Sequence, residues 1–235
     1  MQERQISLFT PEVDWTPPSS LPDLSKYSEV AIDLETYDPL LMSHGPSWAF
    51  PDTGYITGIG VATKDFSMYF PIQHEGGGNL DKGLVLRWFT KQMTYENDKI
   101  FHNSLYDMGW LKRYGVKVNG KIQDTMFAAP LIDENQYSYS LNNLGEKYCG
   151  ETKDETLLIE AAEAYGLNPK SEMYKLPAKY VGPYGEQDAE LTLKLWQVFK
   201  ELIKLENVGK IYDLETSLIP ILLDMRYKGV PVDLD

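Results

Sequence analysis

Apolar and polar residues alternate most strictly in Glu29-Val-Ala-Ile-Asp-Leu-Glu-Thr36, where Val30, Ile32 and Leu34 interleave with Ala31, Asp33 and Glu35. A two-residue period predicts a strand, and it sets Asp33 and Glu35 side by side on one face. Tyr55–Thr63 and Ser67–Ile72 read as two more strands turning at Lys64-Asp65, and Lys99–His102 as a short fourth. Gly76-Gly-Gly78 is read as a turn, because no Gly-Lys-Ser/Thr follows to make a phosphate loop. Leu84, Val85, Trp88, Phe89 and Met93 recur at helical spacing and predict a helix from Asp81 to about Tyr95. Further helices are expected over Asp124–Asp133, interrupted by Pro130, then Ser140–Tyr148, Thr152–Tyr165, Pro183 to about Leu205, and Ile211–Lys228. Tyr37–Asp52 is a long loop, and Asn168–Gly182 is the least regular part of the second half.

Two of the helical stretches carry carboxylates where the pattern calls for apolar residues. After Asn103, which suits an N-cap, Asp107 shares a face with Trp110, Leu111 and Tyr114. Farther on, Tyr184 and Asp188 lie one turn apart on a face continued by Leu191, Thr192 and Leu195. Each feature alone has an ordinary explanation: a half-buried strand, an Asp held by local hydrogen bonds, a Tyr–Asp pair at a helix start. Together, Asp33, Glu35, Asp107 and Asp188 converge on inward faces. Two like charges 4 Å apart repel by roughly 4 kcal/mol at an effective dielectric of 20, so such a group must hold protons or cations. An all-oxygen donor set suits Mg²⁺ or Mn²⁺, and His44, His74 and His102 show no zinc-ligand spacing.

Composition narrows the setting. The chain has 235 residues, 43% hydrophobic and 12% aromatic, as in a folded globular protein. No apolar run approaches the ~20 residues of a membrane helix, and the N-terminus lacks signal-peptide order. The single cysteine, Cys149, fits a reducing cytoplasm. A net charge of −13 argues against a broad basic nucleic-acid face and leaves a small site where metal ions supply the positive charge.

Asp33-x-Glu35, Asn103-x-x-x-Asp107 and Tyr184-x-x-x-Asp188, in this order, resemble the three motifs of the DEDDy 3′–5′ exonucleases. His102–Leu111, Asp124–Ala128 and Ser140–Tyr148 resemble the proofreading domain of family A DNA polymerases, and Gly45–Trp48 with Leu176–Tyr184 resemble its bacteriophage members. The resemblance runs from about Asp23 to Asp235. It implies an α/β fold of the ribonuclease H-like, DnaQ-like kind, a mixed sheet of about five strands flanked by α-helices. It implies two ions, with Asp33, Glu35 and Asp188 on the first, Asp33 shared with the second, and Asp107 acting on the second largely through water. Tyr184, with Glu35, would orient the attacking water, and Thr36 and Asn103 would contact the terminal nucleotide of a single-stranded DNA 3′ end. The expected organisation is an extended tail over 1–26, an exonuclease domain over 27–206, and a helix and turn over 207–235 leading toward a polymerase domain that the chain lacks.

Two other readings share these residues. Ribonuclease D-type RNA-trimming exonucleases carry the same three motifs, although Glu215–Asp233 resembles the junction to a polymerase. A catalytically silent nucleic-acid-holding domain would have lost acidic residues, whereas Asp33, Glu35, Asp107, Asp188 and Tyr184 are all present. In the tail, Gln5-Ile-Ser-Leu-Phe9 resembles the short peptides that dock bacterial replication proteins on the sliding clamp, with Leu8 and Phe9 as apolar anchors and Gln5 as the polar contact. That use requires a tail free to reach out before Pro17.

Overall fold

Strand β1 (Glu29–Tyr37) lies at the centre of a five-stranded sheet in the computed structural model, which describes residues 10–233. The sheet order is β3 (Ser67–Pro71), β2 (Tyr55–Ala62), β1, β4 (Asp98–Phe101), β5 (Ile122–Asp124). The β1–β2–β3 side is antiparallel and the β1–β4–β5 side parallel, so the mixed sheet matches the expected class. Helices α1 (Lys82–Met93), α2 (Ser104–Arg113), α3 (Thr125–Ile132), α4 (Leu141–Cys149), α5 (Thr156–Ala164), α6 (Ala178–Leu205) and α7 (Gly209–Lys228) flank it.

The alternation in β1 divides the core. Val30, Ile32 and Leu34 pack with Val85, Phe89 and Trp110 on one face. Ala31 packs on the other with Ala62, Ala189 and Leu195. Asp33 and Glu35 share the Ala31 side, the side covered by α6. Small residues let α6 come close there. Gly60 pairs with Asp33 across β1–β2, and a Cβ on Gly60 would lie 2.5 Å from the Gly185 carbonyl oxygen of α6. The pairing slips between Glu35 and Thr36, leaving Thr57 as an extra residue in β2, a bulge of the kind that re-aims side chains beside a site.

Several elements depart from the sequence expectation. Helix α6 begins at Ala178, so Pro183 lies inside it rather than at its start. Pro183 costs one backbone bond near the N-terminal end, and the Trp15 ring packs against the adjacent Gly182. Helix α5 begins at Thr156, not Thr152: side chains of Asn142 and Gln187 accept from Lys153 N and Asp154 N and hold that segment out of helix. Strand β5 has no counterpart among the expected strands, because its three residues are too short to carry an alternation. Asn103 precedes α2 with φ 71° and makes no side-chain cap. The Asp124 carboxylate takes that role, accepting from Ser104 N at 2.6 Å while also capping its own helix through Met126 N and Phe127 N.

The tail is a further correction. It carries no helix or strand from Thr10 to Lys26, but it is not loose before Pro17. Trp15 Nε1 donates to Glu186 Oε1 at 3.0 Å, Glu186 also accepts from Tyr69 N at 3.2 Å, and Val13 packs nearby. Gln5, Leu8 and Phe9 lie outside the described residues. The loop after β1 is likewise organised: Asp38 accepts from Ser47 N and its hydroxyl, and Trp48 is buried against Tyr227 of α7 with ring centroids 4.9 Å apart. Helix α7 is further fixed by Tyr212, whose hydroxyl accepts from Asp124 N at 2.8 Å and donates to Gln123 Oε1 at 3.1 Å. No helix among the described residues is long and apolar enough to cross a membrane.

Candidate active site

Asp33 and Glu35 come from β1, and Tyr184 and Asp188 from the face of α6 that lies over it. Carboxylate oxygens of Asp33, Glu35 and Asp188 all fall within 4.8 Å of one another. Asp107 is not part of that trio. Buried in α2, it accepts from Leu34 N at 3.1 Å, a β1 amide beyond the reach of β4, whose pairing ends at Ala31. It therefore stands at the β4-side edge of the strand segment that carries Asp33 and Glu35. Thr36 lies at the rim, its hydroxyl 2.6 Å from the Tyr106 hydroxyl, which in turn donates to Asp38 Oδ2 at 2.9 Å. Asn103 is exposed next to the site.

Electrostatics follow from that convergence. Burial, reinforced by Asp188, raises the Asp33 carboxyl to about 7 against the opposing pull of Lys153. Burial and then Asp33 and Asp188 push Glu35 well up, and burial with the Asp33 charge does the same to Asp107. Asp188 is also raised by burial, although Lys153 and Tyr184 offset part of this. The Tyr184 phenol is raised far by burial and by Glu35 and Asp188. It stays protonated.

The donors fit a hard divalent ion. All are carboxylate oxygens, and buried Asp188 Oδ1 has no hydrogen-bond partner. An unpaired buried oxygen on a carboxylate grouped with two others is costly unless a cation or protons share the space. Beside Tyr184 opens a cavity of about 560 Å³ bounded by Asn142, Asn143, Lys153, Leu158 and Met173, large enough for a nucleotide.

Three contributors escaped the sequence reading. Lys153, whose ammonium donates to Tyr184 Oη at 2.7 Å and to Asp188 Oδ2 at 2.6 Å, sits in Glu151-Thr-Lys-Asp-Glu155, a charged run whose sequence reads as the first turn of a helix. Asp124 reads as a cap for its own helix, and nothing local signals that it also caps α2. Gly60 lies in a Gly-x-Gly of β2 whose use, admitting α6, is a tertiary fact.

The sequence matches the model of a 3′–5′ exonuclease family over residues 19–204. A DNA-directed DNA polymerase of Pseudomonas phage M6 is 39% identical over 242 aligned residues, covering 100% of this chain and 36% of the polymerase. DNA polymerase DpoZ of Salmonella phage PMBT28 is 29% identical over 219 residues, covering 90% and 32%. The chain thus spans about a third of the length of these relatives. Among solved structures, Brucella melitensis NrnC with bound Mg²⁺ aligns at a TM-score of 0.60 and 15% identity, covering 93% of this chain and 94% of that one, a likeness of fold.

Proposed function

The chain belongs to the 3′–5′ exonuclease family of the family A DNA polymerases, and we propose that it is a metal-dependent nuclease that removes nucleotides one at a time from DNA 3′ ends, the proofreading activity of such a polymerase. The observation that carries this reading is the trio Asp33, Glu35 and Asp188, with oxygens within 4.8 Å of one another and Tyr184 one helical turn from Asp188. Divalent ions held there, Mg²⁺ or Mn²⁺, would supply the charge that neutralises the scissile phosphate and favours in-line attack by water.

The chain's own residues do the rest. Asp33, Glu35 and Asp188 would hold one ion, and Asp33 would reach the second, on which Asp107 would act largely through water. The protonated Tyr184 hydroxyl and the Glu35 carboxylate flank the position of the attacking water and orient it. Thr36, tied to Tyr106, presents its hydroxyl at the mouth, and exposed Asn103 reaches the terminal sugar or base. The cavity beside Tyr184 takes the single-stranded 3′ end. Association with a polymerase domain, as in the phage relatives, belongs to the same proposal.

A 5′-labelled single-stranded DNA incubated with Mg²⁺ tests it. A ladder shortening from the 3′ end is expected, with no cleavage in EDTA. A matched RNA oligomer run in parallel separates this reading from RNA trimming, and faster digestion of the RNA would overturn the assignment to DNA. No cleavage of either strand would leave the silent holding domain.

A further inference from the structure

Lys153 has no part in the roles above, yet it is built into the site. It lies in the turn between α4 and α5, whose main chain is gripped from both sides. Asn142 Oδ1 of α4 accepts from Lys153 N at 2.9 Å, and Gln187 Oε1 of α6 accepts from Asp154 N at 2.9 Å. Gln187 Nε2 also donates back to Thr152 O at 3.4 Å. From this fixed base the side chain, 11% exposed, crosses to Tyr184 Oη and Asp188 Oδ2. Its ammonium also lies 4.3 Å from the Tyr184 ring centroid. A lysine gives up much side-chain freedom when held this way, so the position requires a return. The return is visible in the charges: it is the only ammonium among the described residues that bonds any of the four carboxylates.

We propose that Lys153 is a positioning residue that acts as the site's internal cation, holding Asp188 and Tyr184 in register with the sheet and competing with a divalent ion for Asp188. This rests on the exonuclease reading given above and deepens it. Two effects of opposite sign follow. Removing the ammonium frees Asp188 Oδ2 and takes a positive charge out of the cavity, so a divalent ion binds more tightly. The same change leaves Tyr184 Oη without the donor that fixes it, so hydrolysis slows. A lysine that only braced the turn would give one sign: a looser site that binds metal more weakly and works more slowly.

Calorimetric titration of Mn²⁺ into the unmodified chain, Lys153→Met, Lys153→Gln and Lys153→Arg, alongside exonuclease kcat, tests this. For the Met and Gln variants the Mn²⁺ Kd is expected to fall by about threefold or more while kcat falls by about tenfold. The Arg variant, which keeps the charge, should return the Kd to within about twofold of the unmodified chain. The Gln variant keeps a neutral polar head on a side chain one bond shorter, so it carries the test if the Met variant fails to fold. Unchanged or weaker Mn²⁺ binding in the Met or Gln variant overturns the proposal while leaving the exonuclease reading intact. No Mn²⁺ binding by the unmodified chain, or binding that Asp33→Ala does not reduce, overturns both.

Discussion

Gly60→Ala probes the packing that places the carboxylates. The new Cβ would meet the Gly185 carbonyl oxygen at 2.5 Å, and ordinary contact begins near 3.4 Å, so helix and strand must separate by 3.4 − 2.5 = 0.9 Å at that point. Neither partner can yield through a flexible side chain, because one is helix backbone and the other a strand between two paired neighbours. Overpacking of this kind costs about 1–3 kcal/mol. In a protein of this size that corresponds to a Tm lowered by roughly 2–12 °C. Gly185 lies directly after Tyr184 and one turn before Asp188, and Gly60 pairs with Asp33, so the separation falls between the two halves of the site. Misplacement by about 1 Å costs on the order of 100-fold in rate. The assay is urea unfolding together with single-turnover cleavage of a 5′-labelled oligonucleotide. Gly209→Ala is the control, since its Cβ meets Ile203 at an ordinary 3.8 Å and it lies at the start of α7. A Gly60→Ala protein that is destabilised yet cleaves at the unmodified rate would refute the claim that close α6 packing sets the site geometry.

Asp33→Ala should abolish nearly all cleavage and weaken metal binding while the fold survives, whereas Tyr184→Phe should slow cleavage less and leave metal binding intact; equal losses with metal retained in both would contradict the assigned roles. The pH dependence of metal-free stability carries a definite sign. Asp33, raised to about 7 by burial, binds its proton more tightly folded than unfolded, so its contribution is fully present below about pH 4 and is lost as pH rises through 7. His74 and His102, both lowered to about 4 by burial, act in the opposite direction below pH 6.5. The informative quantity is therefore the stability difference between Asp33→Asn and the unmodified chain, which should widen in favour of the variant from pH 4 to 7 and level off above; a flat difference would contradict the shift. Finally, a peptide spanning Met1–Trp15 is expected to bind a bacterial sliding clamp and to lose binding with Leu8→Ala and Phe9→Ala; equal binding by both peptides, or none at high micromolar concentration, would remove the tail from the account.

What was legible in the sequence was the local part of the site. Asp33 and Glu35 share a face because a strand alternates, and Tyr184 and Asp188 share one because a helix turns every 3.6 residues. Both periodicities are written in the chain. Pro183 misled because proline favours helix starts, whereas here tertiary packing extends the helix one and a half turns before it, with Trp15 covering Gly182. Trp15 itself sits in a Pro- and Ser-rich segment that reads as a loose lead-in, and its anchor, Glu186, is 171 positions away. Lys153 was hidden for the same reason: its aim is set by Asn142 and Gln187, which no local pattern connects to it. Asn103 looked like a cap and is displaced from that role by a carboxylate from β5.

The central claim is that Asp33, Glu35 and Asp188 form one cation site, and the anomalous signal of Mn²⁺ soaked into crystals of the unmodified chain tests it most directly. The account predicts a peak bounded by oxygens of those three residues, with a second beside Asp33 on the side of Asp107. No peak among the three carboxylates, in crystals of protein whose cleavage requires Mn²⁺, would contradict it.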